Sequence, residues 1–152
     1  MKSVLFVCMG NICRSPTGEG VLQHLVDESG LQDRIRIDSA GTIGYHSGNP
    51  ADPRMSKAAA RRGYNLTSRA RQVSDSDFDS FDLVIAMDHE NMLYLRREYD
   101  GSSRAKLKML SDFLDDSWPE QVPDPYYGGD DGFEYVLDMI EAACPKILAE
   151  LQ

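Results

Sequence analysis

Val4-Leu5-Phe6-Val7-Cys8-Met9-Gly10-Asn11-Ile12-Cys13-Arg14-Ser15-Pro16 is the stretch on which the fold turns. Residues 3–7 read as a buried strand. Pro16 suits the first position of a helix with Ser15 as its N-cap, running to about Ser29 and stopped by Gly30. Cys8 and Arg14 bracket five residues in the turn between strand and helix. A loop in that position can aim several backbone N–H groups at one point, and the positive end of the following helix is aimed at the same point. It is suited to holding a tetrahedral oxyanion such as phosphate. Cys8 would lie at its floor as a nucleophile, and Arg14 would offer a planar fork of donors. Helix N-termini and adjacent cations favour the thiolate, and Cys8 has both on offer.

Beyond this run, short β-type segments alternate with longer helical ones. Residues 34–39 read as a second strand, followed by a loop over 40–53 rich in Gly, Pro and Ser. A helix is expected over 54–62, ending at Gly63, and a helical turn over 75–80. Residues 83–87 form a third strand, Asp88 caps a helix to about Tyr99, and 105–110 form a fourth strand. A Pro-rich loop over 118–129 leads to a last helix over 131–151. Strands alternating with helices imply a parallel sheet covered on both faces, with ligands held beyond the carboxyl ends of its strands. The loops carrying Cys8, Asp88 and Asp124 all follow strands on that edge.

The chain of 152 residues suits a single domain, 1–152, with no internal repeat or linker. No secretory signal or membrane span fits, and three cysteines (Cys8, Cys13, Cys144) suit a reducing cytoplasm better than a disulfide scaffold. A formal charge of -9 argues against nucleic acid as a partner. The charge is uneven: 54–71 carries six bases and no acid, while 112–152 carries eleven acids and one base. These are either two solvated faces or a basic region that draws anions towards a site.

Gly10 allows the turn backbone angles closed to other residues, and Asn11 tolerates a left-handed conformation and can brace the loop. Ser15 can cap the helix or donate its hydroxyl to Cys8. A leaving oxygen needs a proton donor, and Val122-Pro123-Asp124-Pro125-Tyr126-Tyr127 offers Asp124, stiffened by a proline on either side. Tyr126 and Tyr127 beside it suit the walls of a slot for an aromatic ring. Cys13 is close enough to Cys8 for an oxidised pair, or it packs inward as an inert thiol. His24, His46 and His89 read as surface or packing residues, and no spacing suggests a metal site. Asp88, followed by Asn91, reads as an N-cap able to brace the site as well.

These residues resemble the low-molecular-weight protein tyrosine phosphatases. The resemblance is carried by residues 4–16, Asp38-Ser39-Ala40-Gly41-Thr42, Asn49-Pro50-Ala51-Asp52-Pro53-Arg54, Ala70-Arg71-Gln72, Ala86-Met87-Asp88 and Asp124-Pro125-Tyr126. It implies a flavodoxin-like, doubly wound four-stranded parallel sheet with helices on both faces. It also implies a two-step mechanism that uses no metal or cofactor. Carried over by position, Cys8 is the nucleophile, Arg14 the phosphate clamp and Asp124 the general acid. Met9, Gly10, Asn11, Ile12, Cys13 and Ser15 bind phosphate or support the loop, and Tyr45, Tyr126 and Tyr127 flank the substrate.

Some positions depart from the family pattern. Met9 replaces a leucine. Thr17-Gly18-Glu19-Gly20 replaces a stretch with higher helix propensity, from which weaker first helical turns are expected. Ser68 replaces a histidine that in some members braces the loop asparagine. Ile12 stands where relatives that act on phosphoarginine carry threonine.

The sequence therefore reads as a cytoplasmic phosphotyrosine phosphatase, a monomer or weak dimer. Its expected partners are phosphotyrosine proteins, a tyrosine kinase among them, with no nucleic acid and no membrane. The rival readings are a phosphoarginine phosphatase, an arsenate reductase, or a phosphotyrosine-binding module without turnover.

Overall fold

The central strand explains the architecture. In the computed structural model, which describes residues 1–99, 101–126 and 128–152, β1 (Lys2–Cys8) carries Val4, Leu5, Phe6 and Val7, all fully buried. A strand that is apolar on both sides must be covered on both faces, as in parallel sheets. It lies between β2 (Ile35–Gly41) and β3 (Leu83–Ala86), and β4 (Lys106–Met109) pairs with the outer side of β3. The order is β2-β1-β3-β4 and every pairing is parallel. The chain crosses from one side of β1 to the other after β2, so the end of β1 is the switch point where such sheets hold ligands.

Alternate residues of β1 feed two cores. Val4 and Phe6 pack with Val21 and Leu22 of α1 (Arg14–Glu28) and Leu137 and Ile140 of α5 (Asp130–Leu151). Leu5 and Val7 pack with Phe78 of α3 (Asp77–Ser80) and with Met92 and Leu95 of α4 (His89–Glu98). The remaining helix, α2 (Pro53–Arg61), joins the first core through Met55 and Ala59. No helix among the described residues is long and apolar enough to cross a membrane.

Element types follow the sequence, with shifts at the ends. α1 begins at Arg14, with Cys13 at the N-cap position and Ser15 already inside the helix. Ser15 is therefore not the cap: its hydroxyl is turned towards Cys8. α2 begins at Pro53 and is capped by Asp52, which accepts from the N–H groups of Arg54 and Met55 at 2.8 and 3.4 Å. β4 stops at Met109, where Leu110–Phe113 turns as a short 3-10 helix.

The glycines of α1 serve packing. A Cβ on Gly18 would lie 2.7 Å from the buried Phe6 ring, and one on Gly20 would lie 2.5 Å from Leu66. They let α1 lie closer to β1 and to the 65–68 segment than alanine would. Gly18→Ala gains about 1 kcal/mol of helix propensity but must displace a ring with no free space, which costs about 1–3 kcal/mol. A net loss of up to about 2 kcal/mol is expected, seen as a lower urea midpoint at unchanged m-value.

The basic and acidic regions neutralise one another. Arg62 pairs with Glu134 at 2.8 Å, Asp138 at 2.9 Å and Glu141, and Arg61 pairs with Glu134 at 3.0 Å. Arg71 bridges Asp38 and Asp77 at 3.1 and 3.0 Å. These three cations are each paired with acids of other elements, which counts against their forming a steering patch and differs from two separate solvated faces.

Candidate active site

The turn after β1 is held from outside by its carbonyls. Thr42 and Ile43 donate to the carbonyls of Cys8 and Met9 at 2.9 and 3.1 Å, Asp52 donates to that of Ile12 at 2.8 Å, and the Thr17 hydroxyl donates to that of Cys13 at 2.7 Å. The N–H groups of Met9 to Cys13 donate to no protein acceptor among the described residues. A turn whose carbonyls are taken up and whose N–H groups are left over is suited to holding an anion.

Asn11 makes that curvature possible. Its φ is 57°, a left-handed conformation that asparagine tolerates. Its side chain donates to Ser15 Oγ at 2.8 Å and Ser39 Oγ at 3.0 Å and accepts from the Arg71 N–H at 3.0 Å. Ser39 in turn donates to Glu19 at 2.6 Å. Burial raises the Glu19 pKa against the bonds it accepts from Ser39 and Ser68. Ser68, at the position where some family members carry a histidine, therefore reaches the asparagine through Glu19 and Ser39.

Cys8 is 2% exposed at the pocket floor, with Ser15 Oγ 3.0 Å from its sulfur. Cys13 and Cys144 are free and buried like Cys8, and burial pushes both of their thiols far up. Arg14 is buried and Nη1 donates to Asp88 at 2.6 Å and to the Val122 carbonyl at 3.0 Å. Burial opposes its charge, but Cys8, Asp88 and Asp124 more than offset this and raise its pKa. Asp88 caps α4 through the Asn91 N–H at 2.8 Å and braces Arg14 with its other oxygen.

Asp124 enters from the opposite wall, 3.6 Å from Arg14 Nη2, with the Tyr126 N–H donating to its Oδ1 at 3.0 Å. The pocket is lined by Cys8, Met9, Gly10, Ile12, Cys13 and Arg14 from the turn, and by His46, Asp124 and Tyr126. Tyr45 is 84% exposed beyond the rim, its ring edge-on to His46. Tyr127 lies outside the described residues. His46 is the lining residue that the sequence reading assigned elsewhere. Its signal was its place beside Tyr45 in the Gly/Ser-rich loop. Among the described residues no group of three His, Cys, Asp or Glu is placed to hold a metal ion.

Fold and turn together define an α/β protein built around a Cys-x5-Arg turn at the sheet's switch point. The sequence model of the low molecular weight phosphotyrosine protein phosphatases matches residues 3–152. The low molecular weight protein-tyrosine-phosphatase YfkJ of Bacillus subtilis is 44% identical over 153 residues, spanning 100% of this chain and 97% of its own. A protein tyrosine phosphatase from Entamoeba histolytica, solved with Hepes in its active site, superposes with a TM-score of 0.95. It is 41% identical and the match covers 99% of this chain and 97% of that one. A Drosophila arginine phosphatase superposes at 0.91 with 34% identity, over 99% and 97% of the two chains. The chain belongs to the low molecular weight phosphotyrosine protein phosphatase family.

Proposed function

We propose that this single domain hydrolyses phosphotyrosine in proteins through a phosphocysteine on Cys8. The observation that carries the reading is the convergence of Cys8, Arg14 and Asp124 on one pocket, with Asp124 3.6 Å from Arg14. The Cys8 thiolate attacks phosphorus in line with the leaving phenol oxygen. Arg14 and the N–H groups of the turn stabilise the equatorial oxygens, and each well-aimed donor is worth about 10²–10³ in rate. Asp124 gives its proton to the phenol oxygen as the P–O bond breaks, for about a further 10²–10⁴. Now a carboxylate, Asp124 takes a proton from the water that attacks the phosphocysteine. The P–S bond then breaks, and the Ser15 hydroxyl, 3.0 Å from the sulfur, stabilises the departing thiolate.

Depth and wall chemistry support an aryl substrate. With Cys8 2% exposed, phosphorus must stand off from the protein that carries it, as on a tyrosine ring. Ile12 and Tyr126 line the path with apolar surface. Ile12, in place of the threonine of phosphoarginine-directed relatives, favours the ring over a guanidinium. Three free, buried cysteines suit the cytoplasm proposed from the sequence, where phosphotyrosine proteins, a tyrosine kinase among them, are the partners of a monomer or weak dimer.

The test is phosphate release from a phosphotyrosine peptide beside phosphoserine and phosphoarginine substrates in chelator-treated buffer. Turnover confined to phosphotyrosine is the expected result. A preference for phosphoarginine would overturn the role given to Ile12, and binding without phosphate release would overturn the enzymatic reading.

A further inference from the structure

Arg54 does not line the pocket, but it touches Tyr126, which does, and Asp52, which is bonded to the turn. Its Nη2 donates to the Tyr126 carbonyl and to Asp52 Oδ2, each at 3.0 Å, and its Nε donates to Asp52 Oδ1 at 3.2 Å. The guanidinium carbon stands 5.4 Å from the centre of the Tyr126 ring and 4.9 Å from that of the buried Phe133, within cation–π range of both. Asp52 is itself buried, caps α2, and donates its backbone N–H to the Ile12 carbonyl of the anion turn at 2.8 Å. At the other end, the Tyr126 N–H donates to Asp124 Oδ1 at 3.0 Å.

These contacts form one continuous path: Ile12 carbonyl, Asp52, Arg54, Tyr126, Asp124. It joins the turn that would hold the phosphorus to the carboxyl that would protonate the leaving oxygen. On the side before Asp124 the loop is tied at Val122, bonded to Met87 and to Arg14. A tie on one side alone does not set the acid's exact place, and proton transfer needs the donor within about 2.6–3.2 Å of the oxygen. Arg54 fixes the second side. Its planar fork suits the task, because it holds a carboxylate and a carbonyl at once while its face stacks on aromatic rings.

We propose that Arg54 is a positioning residue that sets the place of the Asp124 carboxyl relative to the anion turn. The inference rests on Asp124 being the general acid. Arg54 makes no contact with substrate in this role. Its loss therefore slows only the step that needs the proton, and misplacing a catalytic group by about 1 Å can cost about 10²-fold.

The experiment compares kcat/KM for phenyl phosphate, whose leaving group needs a proton, with para-nitrophenyl phosphate, whose leaving group needs it far less. Arg54→Ala is expected to lower the first by about 10–100-fold and the second by no more than about threefold. Inhibition by inorganic phosphate should stay within about twofold, because the Asp52 N–H that holds the Ile12 carbonyl is a backbone group and remains. In an Asp124→Ala background Arg54→Ala should cost nothing further, since it acts through the missing acid.

Arg54→Lys, which keeps the charge but lacks the fork, should show part of the same selective loss, and it carries the comparison if Arg54→Ala melts below assay temperature. Equal losses on both substrates would make Arg54 a binding or merely structural residue and overturn the proposal, as would additivity with Asp124→Ala or no loss at all. A substrate-independent loss in Asp124→Ala alone would overturn the general-acid reading, and this inference with it.

Discussion

Cys8→Ser is expected to lower turnover of aryl phosphates by about 10⁵-fold or more while the fold survives. A serine hydroxyl is not ionised near neutrality, and the turn contains no base placed to take its proton. Among the described residues the side-chain hydrogen-bond partner of the sulfur is Ser15 Oγ, at 3.0 Å, which is no base. That neighbour also keeps the variant folded. The new hydroxyl is nine-tenths or more enclosed, but it inherits a hydrogen-bond partner, so no buried donor is orphaned. The melting transition should therefore shift little, and inorganic phosphate should still raise it, because the N–H groups of the turn and Arg14 remain. Acid quenching of the native enzyme during turnover should trap phosphate on the peptide containing Cys8, with none trapped in the variant. Near-native turnover in Cys8→Ser would overturn the covalent mechanism.

What the sequence made legible, and what it hid, divides along physical lines. β1 was readable because four consecutive apolar residues demand cover on both faces. The Cys-x5-Arg spacing was readable because it falls between that strand and a helix, the one place where a turn's N–H groups and a helix end aim at the same point. Asp124 was readable because two prolines leave its loop few conformations.

The misses share a cause: groups that serve a partner distant in sequence. Ser15 has the chemistry of an N-cap and of a donor to Cys8; the sequence leaves both open, and the cap position falls to Cys13 while the hydroxyl faces Cys8. Gly18 and Gly20 look like weak helix positions until Phe6 and Leu66 are seen against them. The two readings of the basic run at 54–71 separate only when Glu134, Asp138 and Glu141 of α5 are seen beside Arg61 and Arg62. His46 and the path through Asp52 and Arg54 depend on contacts made across the pocket, which no local pattern announces.

Asp124→Ala is the second large effect. Its kcat/KM for phenyl phosphate should fall by about 10²–10³-fold, against less than about tenfold for para-nitrophenyl phosphate. kcat/KM reports the step that forms the phosphocysteine, in which a poor leaving phenolate needs its proton and a good one departs without it. The geometry predicts that the damage stays at the acid. Arg14 keeps Asp88 at 2.6 Å and the Val122 carbonyl at 3.0 Å, so the anion turn retains its clamp.

Removing the carboxyl also frees the Tyr126 N–H that donates to it, which would let the loop relax. Asp124→Asn separates the two effects. Its amide oxygen can still accept from Tyr126 while the side chain has no acid proton to give. If proton donation is the role, Asp124→Asn loses as much as Asp124→Ala on phenyl phosphate. Should Asp124→Asn instead stay near native while Asp124→Ala fails, the carboxyl is a brace for the loop and the proton comes from elsewhere. Losses of equal size on both substrates in both variants would remove Asp124 from leaving-group protonation altogether.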